Sequence, residues 1–251
     1  PEGGARIHYL PETASTMDVA LTLAREGAPH LTVVVAGRQT SGRGRLSRQW
    51  TSADGGLYLT LILRPDLHPV YASRMTFLAG VVLAGTIQEE YQLPARVKWP
   101  NDLLIDELKV AGMLSQMEAE GDRLSFVNIG IGLNVNNDPT TAAPAATSLG
   151  QALGRTLSRK KLLGAFIRRL ETRLAEPLDE SVITEWKKHT VTLGRDVEIV
   201  TTRRSVRGVA EEVDAHGGLL LRLSDGSLTT VVHGDCFHRP SHGRDSQTTS
   251  S

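Results

Sequence analysis

The chain has 251 residues, 40% of them hydrophobic, which is enough to form one large domain and a small one. Its 28 basic and 28 acidic side chains cancel, which argues against bulk binding to nucleic acid or to a membrane surface. The single cysteine, Cys236, excludes an intrachain disulfide, and we expect a cytoplasmic setting.

The first part of the chain predicts one helix and two strands. Residues 15–26 predict a helix because Ser15 is a good N-cap and Gly27 can end it. Residues 31–36 are rich in β-branched side chains and predict a buried strand, and residues 56–63 predict a second one.

A loop rich in glycine and arginine, residues 42–50, connects these two strands. Glycine lets the backbone approach a ligand closely, and planar guanidinium groups suit phosphate or carboxylate. The residues that carry the pattern are Gly42, Arg43, Gly44, Arg45 and Arg48. The loop therefore predicts an anion site, with phosphate as the first choice.

Residues 73–91 predict a long buried helix. Its apolar run, residues 77–87, has 11 residues, far fewer than the roughly 20 that cross a bilayer. No membrane partner is therefore expected.

Residues 96–135 predict a hairpin and a further strand. The sequence Lys-Trp-Pro-Asn-Asp at residues 98–102 precedes a polar turn, and Lys109 follows where a second strand begins. Residues 128–136 alternate apolar with small or amide side chains at the period of a strand. One face of that strand can pack while the other meets a ligand.

The C-terminal part changes character. Residues 158–176 predict an amphipathic helix, and residues 182–189 predict a short one. Residues 194–239 give four short strand signals separated by glycine turns, which predict a small β-barrel of the SH3-like kind. Without strict βαβ alternation, the whole indicates an α+β fold rather than a doubly wound one.

Several chemistries are disfavoured by missing motifs. The sequence has no P-loop, no complete dinucleotide fingerprint and no Gly-x-Ser-x-Gly elbow. His233, Cys236 and His238 lie close together but lack the second cysteine pair of a typical zinc site, so no metal is expected there.

Together these motifs resemble the catalytic domain of the biotin protein ligase family. The matching segments are residues 15–17, Gln39, 42–50, 98–102, 109–112, 130–134, 146–149 and a module near 190–239. Ser47 stands where the family commonly has glycine, so we expect a slightly less mobile loop.

The resemblance implies an α+β fold: a mixed β-sheet with flanking helices, like class II aminoacyl-tRNA synthetases, followed by an SH3-like barrel. It implies a catalytic domain at 1–189, the barrel at 190–240 and a disordered tail at 241–251. The implied reaction converts biotin and ATP, with Mg²⁺, to biotinyl-5'-AMP and transfers biotin to a lysine of a carboxylase's carrier domain. A homodimer is possible, and no tightly bound cofactor is expected. Because the signature starts within the first 20 residues, we expect no DNA-binding module.

Adenylation brings two anions together, so the site needs fixed positive charge. Lys109 is the first choice between carboxylate and α-phosphate, and Arg45 and Arg48 would hold phosphates; these three are the predicted catalytic residues. Asp102 is the candidate for Mg²⁺, which prefers oxygen ligands. The resemblance implies biotin contacts from Ser15, Thr16, Met17, Gln39, Gly42, Arg43, Gly44, Arg45, Lys109 and Gly112, with Ser15, Thr16 and Gln39 at the ureido ring. The predicted ATP contacts are Arg45, Arg48, Trp50, Asn101, Lys109 and Asn134, the last pairing with adenine.

Each assignment has an alternative. Ser15 could be only a helix cap, Asn101 and Asp102 only a turn, and Trp50 and Trp99 only core aromatics. A lipoate or octanoyl ligase of similar fold would need a purely apolar pocket and no arginine loop. A non-catalytic binding module or transcriptional regulator is the third possibility. No base is assigned to the transfer step.

Overall fold

The computed structural model describes residues 5–202 and 204–239. The tail predicted at 241–251 lies outside the described residues. The strands are β1 (Arg6–Thr13), β2 (Thr32–Gln39), β3 (Leu57–Leu63), β4 (Arg96–Lys98), β5 (Asp102–Ile105), β6 (Leu108–Glu120), β7 (Arg123–Leu133), β8 (Asp196–Val200), β9 (Ser205–Val213), β10 (Leu219–Arg222), β11 (Leu228–Val231) and β12 (Asp235–His238). The helices are α1 (Thr16–Arg25), α2 (Ser73–Tyr91), α3 (Leu149–Leu153), α4 (Arg159–Leu174) and α5 (Ser181–His189).

A seven-stranded mixed sheet forms the larger part of the molecule. Its order is β1-β2-β3-β7-β6-β5-β4, with β1 and β2 parallel and every other pair antiparallel. Helix α1 packs on β2, β3 and β7, whereas α2 packs on β4 to β7 and also contacts α4 and α5. The predicted α+β class, a mixed sheet with flanking helices, is confirmed.

Helix α2 is the centre of the main core. Its apolar side chains recur all round the helix, and Phe77 stacks on Trp186 of α5 at 4.7 Å between ring centroids. Residues 69–91 are long and apolar enough to cross a membrane, but 72% of an 18-residue apolar stretch within them is buried inside the fold. A helix that is buried on all sides in a protein core has the same apolar composition. Packing against the sheet and the neighbouring helices therefore explains the composition of α2.

A five-stranded antiparallel sheet follows, with the order β11-β10-β9-β8-β12. Trp99 joins it to the larger sheet: its backbone N donates to Thr192 Oγ1 at 2.9 Å, and its Nε1 donates to Gly217 O at 3.0 Å. The side chain of Trp99 is 1% exposed, so it is a core aromatic. Small antiparallel strands in this part of the chain were predicted, and they are present.

Three elements have no counterpart in the predictions. Strand β1 is an edge strand with mostly exposed side chains, so it shows no clear apolar alternation. Strand β12 and helix α3 have four and five residues, too few for periodicity to identify them.

Candidate active site

A cavity of about 380 Å³ opens between the two sheets and the loop 42–50. Its floor is formed by glycines of β6 and β7, since Gly112 and Gly132 are directly paired. The indole of Trp50 lies against both: a Cβ on Gly112 would come within 2.9 Å of Cζ3 of Trp50, and one on Gly132 would come closer still. Only glycine lets the ring sit this close to the sheet.

A β-bulge turns Lys109 towards this floor. Leu104 pairs with Lys109 and Leu103 pairs with Ala111, so one extra residue of β6 interrupts the register. The ideal Cβ position of Gly112 lies 3.2 Å from Lys109 Nζ, which places both residues on the cavity side. A regular strand would alternate their directions, so the bulge is what brings the lysine into the cavity.

Lys109 is held by its backbone and by its side chain. Its N donates to Ala145 O at 3.0 Å, and its O accepts from Thr147 N at 2.9 Å. Nζ forms an ion pair with Asp102 Oδ1 at 2.6 Å and lies 5.6 Å from the centroid of Trp50. The structure therefore brings together the predicted catalytic lysine and the predicted metal-binding carboxylate.

The arginine loop reaches across to the smaller sheet. Arg45 donates to Asn101 Oδ1 at 3.2 Å and to Gly234 O at 3.1 Å. Burial lowers the pKa of Arg45, against the opposing attraction of Asp235 and Asp102. Arg48 pairs with Asp235. Both predicted phosphate-binding arginines line the cavity.

Arg43 connects the loop to helix α1. It pairs with Asp18 of α1 at 2.7 Å, and its side chain is about half exposed. Leu46, in the same loop, has the left-handed backbone angle φ 52°. Arg43 and Gly44 line the cavity, whereas Gly42 does not; the O of Gly42 accepts from Trp50 N at 2.9 Å.

Neutral polar groups line the cavity near Gly130 of β7. Gln39 Oε1 accepts from Thr16 N at 2.8 Å and from Thr16 Oγ1 at 3.0 Å. Gln39 Nε2 donates to Ser52 Oγ at 3.0 Å, and Thr60 Oγ1 donates to Thr16 Oγ1 at 2.9 Å. Thr16, Met17 and Gln39 all line the cavity, and their contacts with biotin stay a prediction.

Besides Gly42, two more of the predicted contact residues lie outside the cavity lining. Ser15 is buried and accepts from Met17 N at 3.3 Å, so its predicted role as the cap of α1 is confirmed. Asn134 donates to Thr147 O at 3.2 Å and accepts from Asn137 Nδ2 at 3.0 Å. Its pairing with adenine stays a prediction, and it would require these two bonds to open.

Sequence reasoning missed several lining residues. Lys98 was given no ligand contact, but it lines the cavity together with Glu107, Asp235, Cys236 and Phe237. The last three come from β12, so recognising that short strand would have been the signal. Burial raises the pKa of the Cys236 thiol to about 12, which keeps it protonated at neutral pH.

His238 belongs to an ionic cluster beside the cavity. Its Nδ1 lies 3.3 Å from Arg195 Nη1, and Arg195 binds Glu107 through two contacts of 2.7 and 2.8 Å. Burial lowers the pKa of His238 to about 4, with Lys98 and Arg195 adding to the effect. Among residues 5–202 and 204–239, no group of three metal-ligating side chains is found.

The donor set suits a magnesium ion that is bound mainly by its substrate. Mg²⁺ keeps several waters and commonly takes one or two carboxylates plus phosphate oxygens. Asp102 offers one partly exposed carboxylate, and one of its oxygens already faces Lys109. Asp102 therefore fits as a single protein ligand beside a bound triphosphate.

The model of the biotin/lipoate A/B protein ligase family matches residues 9–134, which is half of the chain, and the chain belongs to this family. A second model, the C-terminal domain of biotin protein ligases, matches residues 192–239. This second match places the chain with the biotin protein ligases within the family.

Individual relatives agree. The bifunctional ligase/repressor BirA of Bacillus subtilis is 36% identical over 89% of this chain and 71% of that protein. The biotin--[acetyl-CoA-carboxylase] ligase of Paracoccus denitrificans is 32% identical over 85% of this chain and 92% of its own length. The structure of the Aquifex aeolicus biotin protein ligase with biotin and ATP aligns with a TM-score of 0.75 at 28% identity, covering 94% of this chain and 99% of that one.

Proposed function

We propose that the chain activates biotin with ATP to biotinyl-5'-AMP and then transfers biotin to a lysine of a carboxylase's carrier domain. The observation that carries the proposal is the polarity of the cavity. Its lining combines the positive Lys109, Arg45 and Arg48 with the neutral Thr16 and Gln39. Lys109 lies beside Gly112, the partner of Gly132 on β7, whereas Thr16 is bonded to Thr60, the partner of Gly130 two residues away on β7. Such a cavity suits an acid with a carboxylate at one end and a hydrogen-bonding head at the other.

In the first step, a biotin carboxylate oxygen attacks the α-phosphorus of ATP. A new oxygen–phosphorus bond forms while the bond to the pyrophosphate breaks, and pyrophosphate leaves with its electron pair. Lys109 lies where it offsets the repulsion between the two anions, because the glycine floor and the bulge aim its Nζ into the cavity. This charge acts on the transition state, where repulsion is greatest.

The arginine loop supplies the second positive wall. Arg48 leaves Asp235 and pairs with phosphate when the nucleotide enters, and Arg45 remains braced by Asn101 and Gly234. A loop closed over the mixed anhydride also keeps water away from it. Mg²⁺ held by Asp102 and the phosphates would neutralise charge on the departing pyrophosphate.

In the second step, a neutral lysine amine of the acceptor attacks the biotinyl carbonyl and AMP leaves. A neighbouring cavity of about 190 Å³ shares Arg45 and Asn101 with the main cavity and is lined on its outer side by His216 and the exposed Val232. We assign the approach of the acceptor lysine to this side. The base that takes its proton remains unassigned.

The proposal includes further expectations about the whole protein. The change from the mixed sheet to the antiparallel sheet between His189 and Asp196 supports a division into a catalytic domain at 1–189 and a small barrel at 190–240. The absence of a basic excess supports a function without DNA. A cytoplasmic location and a homodimer belong to the same proposal.

Pyrophosphate release tests this function directly. Purified protein is given ATP and Mg²⁺ with biotin, lipoate or octanoate in separate assays, and Lys109→Ala is compared with Lys160→Ala, an exposed lysine on α4. We expect release with biotin that collapses in Lys109→Ala and persists in Lys160→Ala. Release with lipoate or octanoate alone would replace biotin as the substrate, and no release with any acid would leave a binding module as the better description.

A further inference from the structure

The cavity gives a bound acid a direction. Lys109 lies beside Gly112, the partner of Gly132 on β7, whereas Met17 lies against Gly130, two residues along the same strand. With its carboxylate at Lys109, the acid therefore points its distal end towards Met17. The residues just behind that distal end therefore decide which head group is accepted.

Met17 covers that position. Its Sδ lies 2.7 Å from where a Cβ of Gly130 would be, so the methionine rests directly on the strand at this glycine. Methionine is unbranched and adapts its rotamers easily. A head group pressing on Met17 can therefore move its side chain and reach the strand behind it.

Asn128 lies two residues before Gly130 on the same face of β7. The residue is 0% exposed, and neither its Oδ1 nor its Nδ2 has a hydrogen-bond partner among the described residues. An amide buried without partners is costly, because it loses its bonds to water and gains none in return. Fold stability alone gives no reason for an amide at this place.

A second amide lies beside it on the neighbouring strand. Gln116 of β6 is directly paired with Asn128, and its Oε1 is also buried without a partner among the described residues. On the other side, Thr60 of β3 is paired with Gly130, and its hydroxyl donates to Thr16. The hydrogen-bonded side chains of the cavity therefore reach the level of Gly130 on β7. Asn128 and its neighbour Gln116 lie two residues further along the strands and are not part of that network.

We propose that Asn128 and Gln116 form a polar end wall of the acid-binding cavity and determine specificity for acids whose distal head carries hydrogen-bonding groups. This inference rests on the proposed function and deepens it. The two amides offer donors and acceptors that complement a cyclic urea or amide, reached after Met17 moves. A plain acyl chain leaves both amides unpaired, so the wall discriminates against it.

The test compares two acids in one set of variants. Asn128→Leu replaces the amide by an apolar group of similar size, and pyrophosphate release is measured with biotin and with octanoate. We expect the ratio of kcat/KM for biotin to that for octanoate to fall at least about tenfold. Most of the change should lie in KM, and the thermal unfolding temperature should stay unchanged or rise because a buried orphan amide has been removed.

A second variant keeps the test valid if Asn128→Leu does not fold. Gln116→Leu changes the partly exposed member of the wall and should shift the ratio in the same direction by a smaller factor. Gln88→Leu on α2, at the opposite face of the sheet, is the matched control and should leave the ratio unchanged.

The outcomes separate this inference from the function beneath it. The proposed role of Asn128 and Gln116 would be wrong if the ratio stayed constant in both variants because both acids lost activity equally or not at all. Either result would leave biotin activation in place. Wild-type protein that releases no pyrophosphate with biotin would instead remove the proposed function, whatever the variants do.

Discussion

The two positively charged walls of the cavity are held in different ways. Lys109 lies on a sheet strand whose backbone is bonded to Ala145 and Thr147, and its Nζ is paired inside the cavity. Arg48 lies on the loop 42–50, its side chain is 62% exposed, and its ion partner Asp235 belongs to the other sheet. An anchored cation can stabilise a transition state without reorganisation, whereas an exchangeable one can open for substrate and close over the product.

Conservative charge swaps give the largest expected difference between the two walls. We expect Lys109→Arg to lower kcat about 100-fold, because a planar guanidinium does not fit the place of a compact ammonium between Asp102 and Trp50. Arg48→Lys should stay within about threefold of wild type, since an exposed cation needs only approximate placement. Single-turnover formation of the adenylate measures both variants. Equal losses in the two variants would show that the walls are anchored alike.

The glycine floor beneath Lys109 gives the next effect. Gly132→Ala places a Cβ against Trp50 and should lower the free energy of unfolding by about 1–3 kcal/mol, because the ring has to move. Gly85→Ala is the control, since its Cβ would meet no atom within 4 Å. Urea titrations of both proteins measure the difference, and a neutral Gly132→Ala would mean that the floor tolerates repacking.

Much of this comparison could be predicted from the sequence. The loop 42–50, the strand carrying Lys109 and the helix α2 all have clear local patterns, and the structure places Lys109, Arg45 and Asp102 around one cavity. The short strand β12 was missed because four residues give no usable period. Yet that strand supplies Asp235, which holds the exchangeable arginine.

The bulge in β6 was equally hidden. Alternation alone would place Lys109 and Gly112 on opposite faces, and only the register between β5 and β6 reveals that they share one. Ser15 and Asn134 show the reverse limit. Their side chains form a helix cap and a loop bond in the structure, bonds that no local sequence pattern distinguishes from ligand contacts, and their predicted ligand contacts stay predictions.

Acid should weaken the ionic cluster of Glu107, Arg195 and His238, which joins the turn before β6 to the smaller sheet. His238 has a folded pKa of about 4 against an ordinary 6.5, so the unfolded chain binds its proton first as pH falls. Stability from this group is complete above about pH 6.5 and is lost as pH falls towards 4. We expect His238→Asn to lose less stability than wild type between about pH 7 and about pH 4.5, measured by urea titration. Equal losses would contradict the assignment.

The smallest effect concerns the ion partner of the exchangeable wall. Asp235→Asn weakens the contact to Arg48 and should cost at most about 1 kcal/mol of stability, because Arg48 is largely exposed. Limited proteolysis of the unliganded protein should nevertheless cut within 42–50 faster than in wild type. Glu12→Gln, which removes an exposed ion pair on β1 and β2, is the control and should leave that cleavage unchanged. An unchanged rate in Asp235→Asn would show that the pair does not restrain the loop.

Hydrogen exchange with and without biotin, ATP and Mg²⁺ tests the contrast between the walls most directly. The account predicts that amides of residues 108–112 are protected in both states, whereas those of residues 42–50 become protected only when the substrates bind. Equal protection of the two segments before substrates are added, or ligand-induced protection of both, would contradict it.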